Sequence, residues 1–367
     1  MSLQSVEATD RGTPSSSKLR DVMDSAWRRP LAKSLSTIEN RLAGWRQLLS
    51  ESYAGASKAL TIGITGPPGA GKSSLIDLIA SHWSAQGHRV GIIAIDPASP
   101  FSGGAVLGDR VRMRRAEDDE RIFIRSMSAR GHSGGLNAAA IDLCTILKSH
   151  GITRILLETV GVGQNEVEVA FIADCTLVVS VPGLGDSVQA AKAGLLEVGD
   201  IYVVNKSDLP GASGVAKDLQ VMLAMVFPGS PGINVGKVDA SMIAGVASPV
   251  RDMLARRFGN WATTGSAWHP QVMSVSAAVN EGIPALCGRV DAFEKWLDDS
   301  GVGVKRREAR HEQQLRGLLI DRFLETLLLQ GGQLSGDGLA RWATQVAIGA
   351  VDPHSAVDKI LSEGEAS

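Results

Sequence analysis

The sequence predicts an α/β fold in which helices cover both faces of a doubly wound, mostly parallel sheet. Two patterns carry this prediction. Short and nearly continuous apolar runs, such as the one from Val90 to Ile95, alternate with stretches of helical periodicity. Such runs are typical of strands buried on both faces. The apolar run at 60–65 leads into a glycine-rich loop at 66–73, and a helix is predicted after that loop. This is the order of a phosphate-binding strand–loop–helix unit.

The central part of the chain is predicted to form one domain over residues 58–300. Its candidate strands are 60–65, 89–95, 121–125, 153–158, 174–181, 201–205 and 271–275, and its clearest helices are 136–149, 187–198 and 212–227. The Gly- and Pro-rich stretch at 229–262 is long for a connection and is predicted to be an insertion. Because ligands of doubly wound sheets bind beyond the carboxyl ends of the strands, the site is expected in the loops there.

Helical segments are predicted on both sides of this domain. Residues 1–57 are expected to be a mobile N-terminus and a helical arm, with a helix break at Pro30. Residues 301–367 are expected to be a C-terminal helical region. The wide apolar face of its long helix, over 315–328, must be buried against the core or a second subunit. The basic run 305–310 contains an acidic residue, and we interpret it as a solvated helix start.

The composition excludes several classes of partner. The 367 residues are 44% hydrophobic and 21% charged, with a net charge of −2, so no basic surplus is present for binding nucleic acid. No apolar run has the length of a membrane span, and no secretory signal opens the chain. The cysteines Cys144, Cys175 and Cys287 are interpreted as small buried hydrophobic residues of a reducing compartment, so we expect a cytoplasmic protein.

The loop after the first strand fits G-x-x-x-x-G-K-[ST], the pattern that cradles the phosphates of a nucleotide. Its glycines let the backbone wrap a polyphosphate, and the N-terminus of the following helix favours negative charge. Lys72 is expected to reach the terminal phosphates, and Ser73 to bind Mg²⁺. The predicted phosphate-binding residues are Gly66, Pro67, Pro68, Gly69, Ala70, Gly71, Lys72, Ser73 and Ser74.

A second motif selects the base. Asn205-Lys206-Ser207-Asp208 follows the strand at 201–205, and N-K-x-D is typical of guanine-specific hydrolases. The Asp208 carboxylate can accept hydrogen bonds from the N1–H and the exocyclic amine of guanine, whereas adenine would leave this charge unpaired. Ser276-Ala277, after the last strand, fits the small loop that closes over the base. These residues predict GTP and GDP as ligands.

Acidic residues at other strand ends predict a magnesium site. Glu158 and Asp96 end two of the predicted strands, and Asp109 lies in a glycine-rich loop after Asp96. Gly161 can direct its backbone N–H to the γ-phosphate and so sense its presence. Lys192 is the nearest cation that could supply charge to the transition state. The alternatives are a capped turn after Glu158 and a surface lysine on a helix.

Several motifs together resemble the MeaB/ArgK family of methylmalonyl-CoA mutase-associated GTPases. The matching stretches are GPPGAGKSS, AIDPASP, GDRVRM, RGHSGGL, ETVGVGQNE, PGLGDSVQAAKAG and NKSD. The resemblance implies a homodimeric GTPase, joined through its C-terminal helices, that acts as a chaperone of adenosylcobalamin-dependent acyl-CoA mutases. It also implies the roles given above for Lys72, Ser73, Asp96, Asp109 and Glu158 at Mg²⁺ and phosphate, and for Asn205, Lys206, Asp208 and Ser276-Ala277 at guanine. The segment 229–262 departs from the family by its length.

The resulting hypothesis is Mg²⁺-dependent hydrolysis of GTP to GDP and phosphate, slow until a partner orders the loops 97–115, 161–168 and 183–192. A metallochaperone GTPase is one alternative, but it would need a Cys/His cluster, and His132 has no second ligand near it. A small-molecule kinase and a targeting GTPase of the signal-recognition type are the others. The sequence does not select the client mutase.

Overall fold

The computed structural model describes residues 26–96, 113–128, 135–159, 165–183, 198–226, 268–329, 336–347, 350–356 and 359. The helices in these ranges are α1 (Arg28–Glu39), α2 (Trp45–Gly55), α3 (Lys72–Ala85), α4 (Arg114–Asp118), α5 (Gly135–Ser149), α6 (Asn165–Ile172), α7 (Ala212–Val226), α8 (Ile283–Ser300), α9 (Val302–Leu329) and α10 (Gly336–Ala347). The strands are β1 (Leu60–Thr65), β2 (Val90–Asp96), β3 (Ile122–Ser128), β4 (Arg154–Thr159), β5 (Cys175–Ser180), β6 (Ile201–Val204) and β7 (Gln271–Ser274).

The seven strands form one sheet in the order β3-β2-β4-β1-β5-β6-β7. Every neighbouring pair is parallel, so the predicted α/β fold with a doubly wound parallel sheet is confirmed. β1 lies at the centre, and after β4 the chain passes from one side of β1 to the other. The loop that follows β1 therefore lies at the switch point of the sheet, where such folds bind their ligands.

Consecutive residues of the strands supply two separate apolar layers, because successive side chains of a strand point to opposite faces. Ile92 of β2 packs in the layer that contains Leu75 of α3. Ile93 packs in the layer that contains Leu31 of α1. Both faces of the sheet are thus buried, which explains why its strands appear in the sequence as apolar runs.

The N-terminal arm covers the second of these faces. The helix α1 begins at Arg28, two residues before the predicted break at Pro30, and most of the helical stretch predicted before Pro30 lies outside the described residues. Pro30 is the third residue of α1. A proline is tolerated there because the N–H groups of the first turn have no acceptor within the helix. The connection between α1 and α2 spans residues 40–44, in which Arg41 has φ +47° and Gly44, with φ +83°, directly precedes α2. Leu35 and Ile38 of α1 are buried in the apolar layer, so α1 forms part of the core.

The basic run at the start of α9 is only partly solvated, so the predicted solvated helix start is wrong for two of its residues. Arg306 forms an ion pair with Asp200 over 3.0 Å, and Arg310 forms one with Asp174 over 2.7 Å. The two arginines are four residues apart and therefore share one face of the helix. That face contacts the residues that precede β5 and β6, while Lys305 is exposed.

The following turns of α9 expose large apolar side chains in this single chain. They are Leu315, Leu318, Leu319, Ile320 and Phe323. The expected burial of this face against the core is therefore not found over these turns. An exposed patch of this kind is characteristic of an interaction surface.

Other expectations concern single features. Cys144, Cys175 and Cys287 are buried free thiols, as the sequence predicts. None of the described helices is long and apolar enough to span a membrane. The predicted insertion at 229–262 lies outside the described residues, and so does all but the last residue of the predicted helix 187–198.

Candidate functional site

The loop between β1 and α3 is shaped by glycines that no other residue could replace. Gly66 has φ +140°, and a Cβ atom there would lie 2.2 Å from the carbonyl oxygen of Val179 in β5. Gly71 has φ +82°, and its Cβ would lie 2.6 Å from Nδ2 of Asn205. A left-handed backbone and close approach are the two reasons for which glycine is required. The loop is therefore seated against β5 and the loop after β6.

Lys72 and Ser73 begin α3 beneath this loop and are almost entirely buried, with 7% and 9% of their surfaces exposed. Nζ of Lys72 donates to the carbonyl oxygen of Gly66 over 2.7 Å and lies 3.3 Å from that of Pro67. The ammonium group is thus held inside the curve of the loop, beside the helix N-terminus. Two sources of positive potential converge here, which favours a bound anion.

The outer residues of the loop leave it open to solvent. Pro68, Gly69 and Ser74 are exposed, and Pro67 is partly exposed. Ala70 is buried. The loop therefore presents its rim to solvent, while the ammonium group of Lys72 stays beneath it.

A buried hydroxyl–carboxylate contact lies next to the loop. Oγ of Ser73 donates to Oε1 of Glu158 over 2.6 Å, and Glu158 is 2% exposed. Glu158 is the fifth residue of β4, beside Ile64 of β1 and Ala94 of β2. Hydroxyl and carboxylate oxygens are the hard donors that Mg²⁺ prefers, so this pair fits a magnesium ion.

The remaining predicted metal and phosphate residues are described less completely. The backbone of Asp96 ends β2 at the carboxyl edge of the sheet, and its side chain is not among those described. Asp109, Gly161 and Lys192 lie outside the described residues. Of the predicted magnesium ligands, Ser73 and Glu158 are therefore the two whose side chains are seen together.

Asn205 joins the phosphate loop to the loop after β7. Its Nδ2 donates to the carbonyl oxygen of Ala70 over 2.8 Å, and its Oδ1 accepts the backbone N–H of Ala277 over 3.1 Å. The side chain is 1% exposed, so both of its polar groups are buried and satisfied. The first residue of N-K-x-D thus holds two loops at a defined separation.

Lys206 and Asp208 lie on the solvent side of the same loop. Lys206 has φ +57°, a rare backbone conformation for a residue with a side chain, and its Nζ donates to the carbonyl oxygen of Gly69 over 3.0 Å. Asp208 is exposed. Its Oδ1 accepts a hydrogen bond from Oγ of Ser276. Ser276, which is fully buried, therefore orients the carboxylate that the sequence assigns to guanine.

Two buried aspartates at the opposite edge of the sheet were missed by the sequence reasoning. Oδ2 of Asp174 accepts the N–H of Thr61 in β1 over 3.0 Å, and Oδ2 of Asp200 accepts the N–H of Thr176 in β5 over 2.8 Å. Each aspartate immediately precedes a buried strand and also binds an arginine of α9. An aspartate repeated before two apolar runs, together with two arginines four residues apart, is the signal that could have found them.

The chain is similar to several known proteins. The family of the methylmalonyl-CoA mutase-associated GTPase MeaB matches residues 31–331. A Pyrococcus abyssi protein named "Putative GTPase" is 36% identical over 339 residues, which are 92% of this chain and 93% of that protein. The GTPase ArgK of Escherichia coli K12 is 30% identical over 295 residues, covering 79% of this chain and 78% of its own.

A solved structure shows the same fold. The crystal structure of an LAO/AO transport system kinase superposes with a TM-score of 0.64 over 97% of this chain and all of that one, at 22% sequence identity. At this identity the likeness extends to the fold and not to the activity.

Proposed function

Because the chain belongs to the MeaB family of methylmalonyl-CoA mutase-associated GTPases and is a GTP hydrolase, we propose that it is a Mg²⁺-dependent switch that chaperones an adenosylcobalamin-dependent acyl-CoA mutase. The observation that carries the nucleotide part is the position of Asn205, bonded to Ala70 on one side and to Ala277 on the other. One buried side chain sets the distance between the phosphate loop and the loop expected to cover the base. Both halves of a guanine nucleotide site are thereby held together.

Asp208 is proposed to select guanine. Its Oδ1 already accepts from Ser276, and a carboxylate has acceptor capacity left on both oxygens for the N1–H and amine of guanine. Adenine presents a ring acceptor to this carboxylate and would leave a charge unpaired. Lys206, which lies over Gly69, is proposed to line the path between the base and the phosphates.

The hydrolysis step is proposed to depend on charge neutralisation at the β- and γ-phosphates. Nζ of Lys72 now bonds to carbonyl oxygens of its own loop, and it is proposed to exchange these for phosphate oxygens. The N–H groups of the loop and the N-terminus of α3 add to the same potential. Phosphoryl transfer needs mainly positioning and electrostatic stabilisation, so no strong general base is required.

The magnesium site is proposed to consist of Ser73, Glu158, Asp96 and Asp109. The 2.6 Å contact between Ser73 and Glu158 supports the first two. A bound Mg²⁺ supplies neutralisation of phosphate charge in this class of hydrolase. Gly161 is proposed to report the γ-phosphate through its N–H, and Lys192 to approach the transition state when its loop closes.

The partner proposal uses the C-terminal helices. The exposed apolar residues of α9, of which Leu319 is 69% exposed and Phe323 56%, support a homodimer contact through this region. We also propose a division into an arm at 1–57, a GTPase domain at 58–300 with an insertion at 229–262, and a dimerisation region at 301–367. Buried free thiols support a cytoplasmic setting.

The test is the rate of GTP hydrolysis by the purified protein, alone and with each candidate acyl-CoA mutase. We expect slow turnover alone and a clear rise with the client mutase. The Lys72→Met variant is measured beside it to exclude a contaminating hydrolase. Fast hydrolysis that no mutase changes would contradict the chaperone switch while leaving the GTPase activity in place.

A further inference from the structure

The carboxylate of Asp77 connects the helix that follows the phosphate loop with the short helix α4. Asp77 belongs to α3 and is 8% exposed. Its Oδ1 accepts the backbone N–H of Ala116 over 2.7 Å, and Ala116 is fully buried. The N–H groups of the first turn of a helix have no acceptor within that helix. A side chain 39 positions away therefore satisfies a donor that would otherwise be buried without a partner.

The start of α4 depends on this contact because its own sequence supplies no cap. Met113 precedes the helix, has no polar side chain and makes no capping hydrogen bond. It is also fully buried and packs in the apolar layer that contains Leu75 of α3. One hydrogen bond to a carboxylate and one apolar contact thus hold the start of α4 on α3.

Asp77 also lies on the same face of α3 as a proposed metal ligand. Ser73 precedes it by four residues in the helix, which places the two side chains on one face, about one turn or 5.4 Å apart along the axis. Oγ of Ser73 donates to Oε1 of Glu158, the pair that fits a magnesium ion. A single turn of α3 therefore carries both the anchor of α4 and one side of the proposed magnesium site.

The segment that ends at α4 contains another proposed magnesium ligand. Asp109 precedes Met113 by four residues, and four residues of chain reach at most about 14 Å. Anchoring the start of α4 on α3 therefore limits how far Asp109 can lie from Ser73. A ligand whose range is restricted in this way loses less conformational entropy when it binds.

We propose that Asp77 is a positioning residue for GTP hydrolysis, which holds the start of α4 on α3 so that Asp109 can complete the magnesium site with Ser73 and Glu158. The role of Asp77 rests on the proposed magnesium site, although Asp77 acts through α4 and is not itself a ligand. Hydrogen bonds from a backbone N–H to a carboxylate are among the stronger ones in proteins, so the contact can influence how tightly Mg²⁺ is held.

The test compares two variants whose side chains have nearly the same shape as that of Asp77. Asp77→Leu removes the acceptor for the N–H of Ala116, and Asp77→Asn retains an oxygen for it. Calorimetric titration measures the affinity for a non-hydrolysable GTP analogue with Mg²⁺ and with EDTA, and the ratio of the two affinities is the effect of Mg²⁺. We expect Asp77→Leu to lower this ratio about tenfold and to leave the affinity in EDTA unchanged. Asp77→Asn should retain most of the wild-type ratio.

A matched control removes a carboxylate at the other end of α4. Asp119 directly follows the helix, and its Oδ1 accepts the exposed N–H of Arg121 over 2.8 Å. Asp119→Leu should keep the wild-type ratio. If Asp77→Leu lowers the melting temperature and also keeps the wild-type ratio, the contact only stabilises α4 and the proposal is overturned.

A third variant separates this role from the magnesium site on which it rests. Asp109→Asn should lower the effect of Mg²⁺ at least as much as Asp77→Leu does. If Asp109→Asn has no effect, the proposed magnesium site is wrong and the role of Asp77 falls with it. If only Asp77→Leu has no effect, the magnesium site stands and the positioning role is overturned.

A measurement on the wild-type protein does not depend on the folding of any variant. Because coupling between two binding events is reciprocal, adding Mg²⁺ to the analogue-bound protein should slow the hydrogen exchange of the Ala116 N–H about tenfold. The reference is the N–H of Arg121, which is likewise bound by an aspartate. Slowing at Ala116 that is no greater than at Arg121 would overturn the proposal.

Discussion

Arg310 donates from Nη2 to Oδ1 of Asp174 over 2.7 Å, and both side chains are 8% exposed. The second carboxylate oxygen of Asp174 accepts the N–H of Thr61 over 3.0 Å. Thr61 belongs to β1, the strand that leads into the phosphate loop. The pair therefore connects α9 of the C-terminal helical region with the strand that leads into the predicted nucleotide site.

The first prediction concerns this ion pair. Arg310→Met should lower the free energy of unfolding by about 3–5 kcal/mol, because it leaves the Asp174 carboxylate buried without its counter-charge. Urea unfolding at neutral pH measures the change. Arg316→Met is the matched control in the same helix. It removes an ion pair with Glu312 that is largely exposed and should cost less than about 1 kcal/mol.

The pH dependence of the same pair follows from the pKa of Asp174. Burial alone would raise this pKa, but the Arg310 guanidinium and the Lys148 ammonium outweigh it and lower the pKa below its ordinary value of 3.8. Asp174 therefore takes up a proton less readily in the folded protein than in the unfolded chain. The stability that the ion pair contributes is complete above the unfolded pKa of 3.8 and is lost as the pH falls through the lower folded pKa. Equal stability of wild type and Arg310→Met at neutral pH would refute the assignment.

The second prediction concerns Gly71. Gly71→Ala combines a strained backbone at φ +82° with a Cβ placed 2.6 Å from Nδ2 of Asn205. We expect about 1–3 kcal/mol of destabilisation from the strain and a large loss of GDP affinity, because the Asn205 amide must leave the carbonyl of Ala70. Calorimetric titration with GDP and urea unfolding measure the two effects. Gly214→Ala in α7, where a Cβ meets no atom within 4 Å, should be neutral or slightly stabilising.

The third prediction concerns Asp142 of α5. Burial raises its pKa to about 6, against smaller opposing effects of Arg41 and a hydrogen bond from Gln314 of α9. Since the folded state favours the protonated carboxyl, stability should fall as the pH rises from about 4 to about 6 and then remain level. Asp142→Asn should abolish this fall and be about 2–3 kcal/mol more stable than the wild type at pH 7.

Urea unfolding at several pH values tests this prediction. Asn retains an oxygen to accept the amide N–H of Gln314, so the variant changes the charge more than the contact. Asp218→Asn on the exposed face of α7 is the control and should follow the wild-type curve. If the Asp142→Asn variant also follows the wild-type curve, ionisation of the Asp142 carboxyl does not lower the free energy of unfolding and the prediction is wrong.

The fourth prediction concerns base selection. Asp208→Asn should weaken GTP binding by a factor of about 10³ or more and create affinity for xanthosine triphosphate, because the amide offers a donor where the base now offers an acceptor. Competition binding with the two nucleotides measures the change, with Asp218→Asn again as control. Unchanged preference for GTP would assign Asp208 a role other than guanine recognition.

The sequence predicted the bounds of a strand accurately where a local feature of the sequence marks its end. β1 was predicted at its observed bounds, because an apolar run ends at Gly66. β3 was predicted to end at residue 125 but continues to Ser128. Arg125, which looked like the end of a buried run, bonds through Nε to Glu39 of α1 over 3.0 Å. A partner distant in the chain made the polar residue compatible with the strand.

The boundaries of the helical arm are harder to see in the sequence. The break was predicted at Pro30, and α1 begins at Arg28 with Pro30 in its first turn. The connection between α1 and α2 over residues 40–44 needs left-handed backbone angles at Arg41 and Gly44, and nothing in the local apolar pattern distinguishes Gly44 from a tolerated glycine within a helix. Boundaries that depend on backbone angles are less visible in sequence than apolar periodicity.

The sequence by itself determined the α/β class, the phosphate loop and the N-K-x-D segment, because each depends on residue types within a few positions of one another. The tertiary structure alone decided that Asn205 spans from Ala70, 135 positions away, to Ala277. It also decided that Arg306 and Arg310 form ion pairs with the buried Asp200 and Asp174. Those contacts form because the parallel sheet brings particular strand ends and helix faces together. The spacing of these residues along the chain does not show that they will be neighbours.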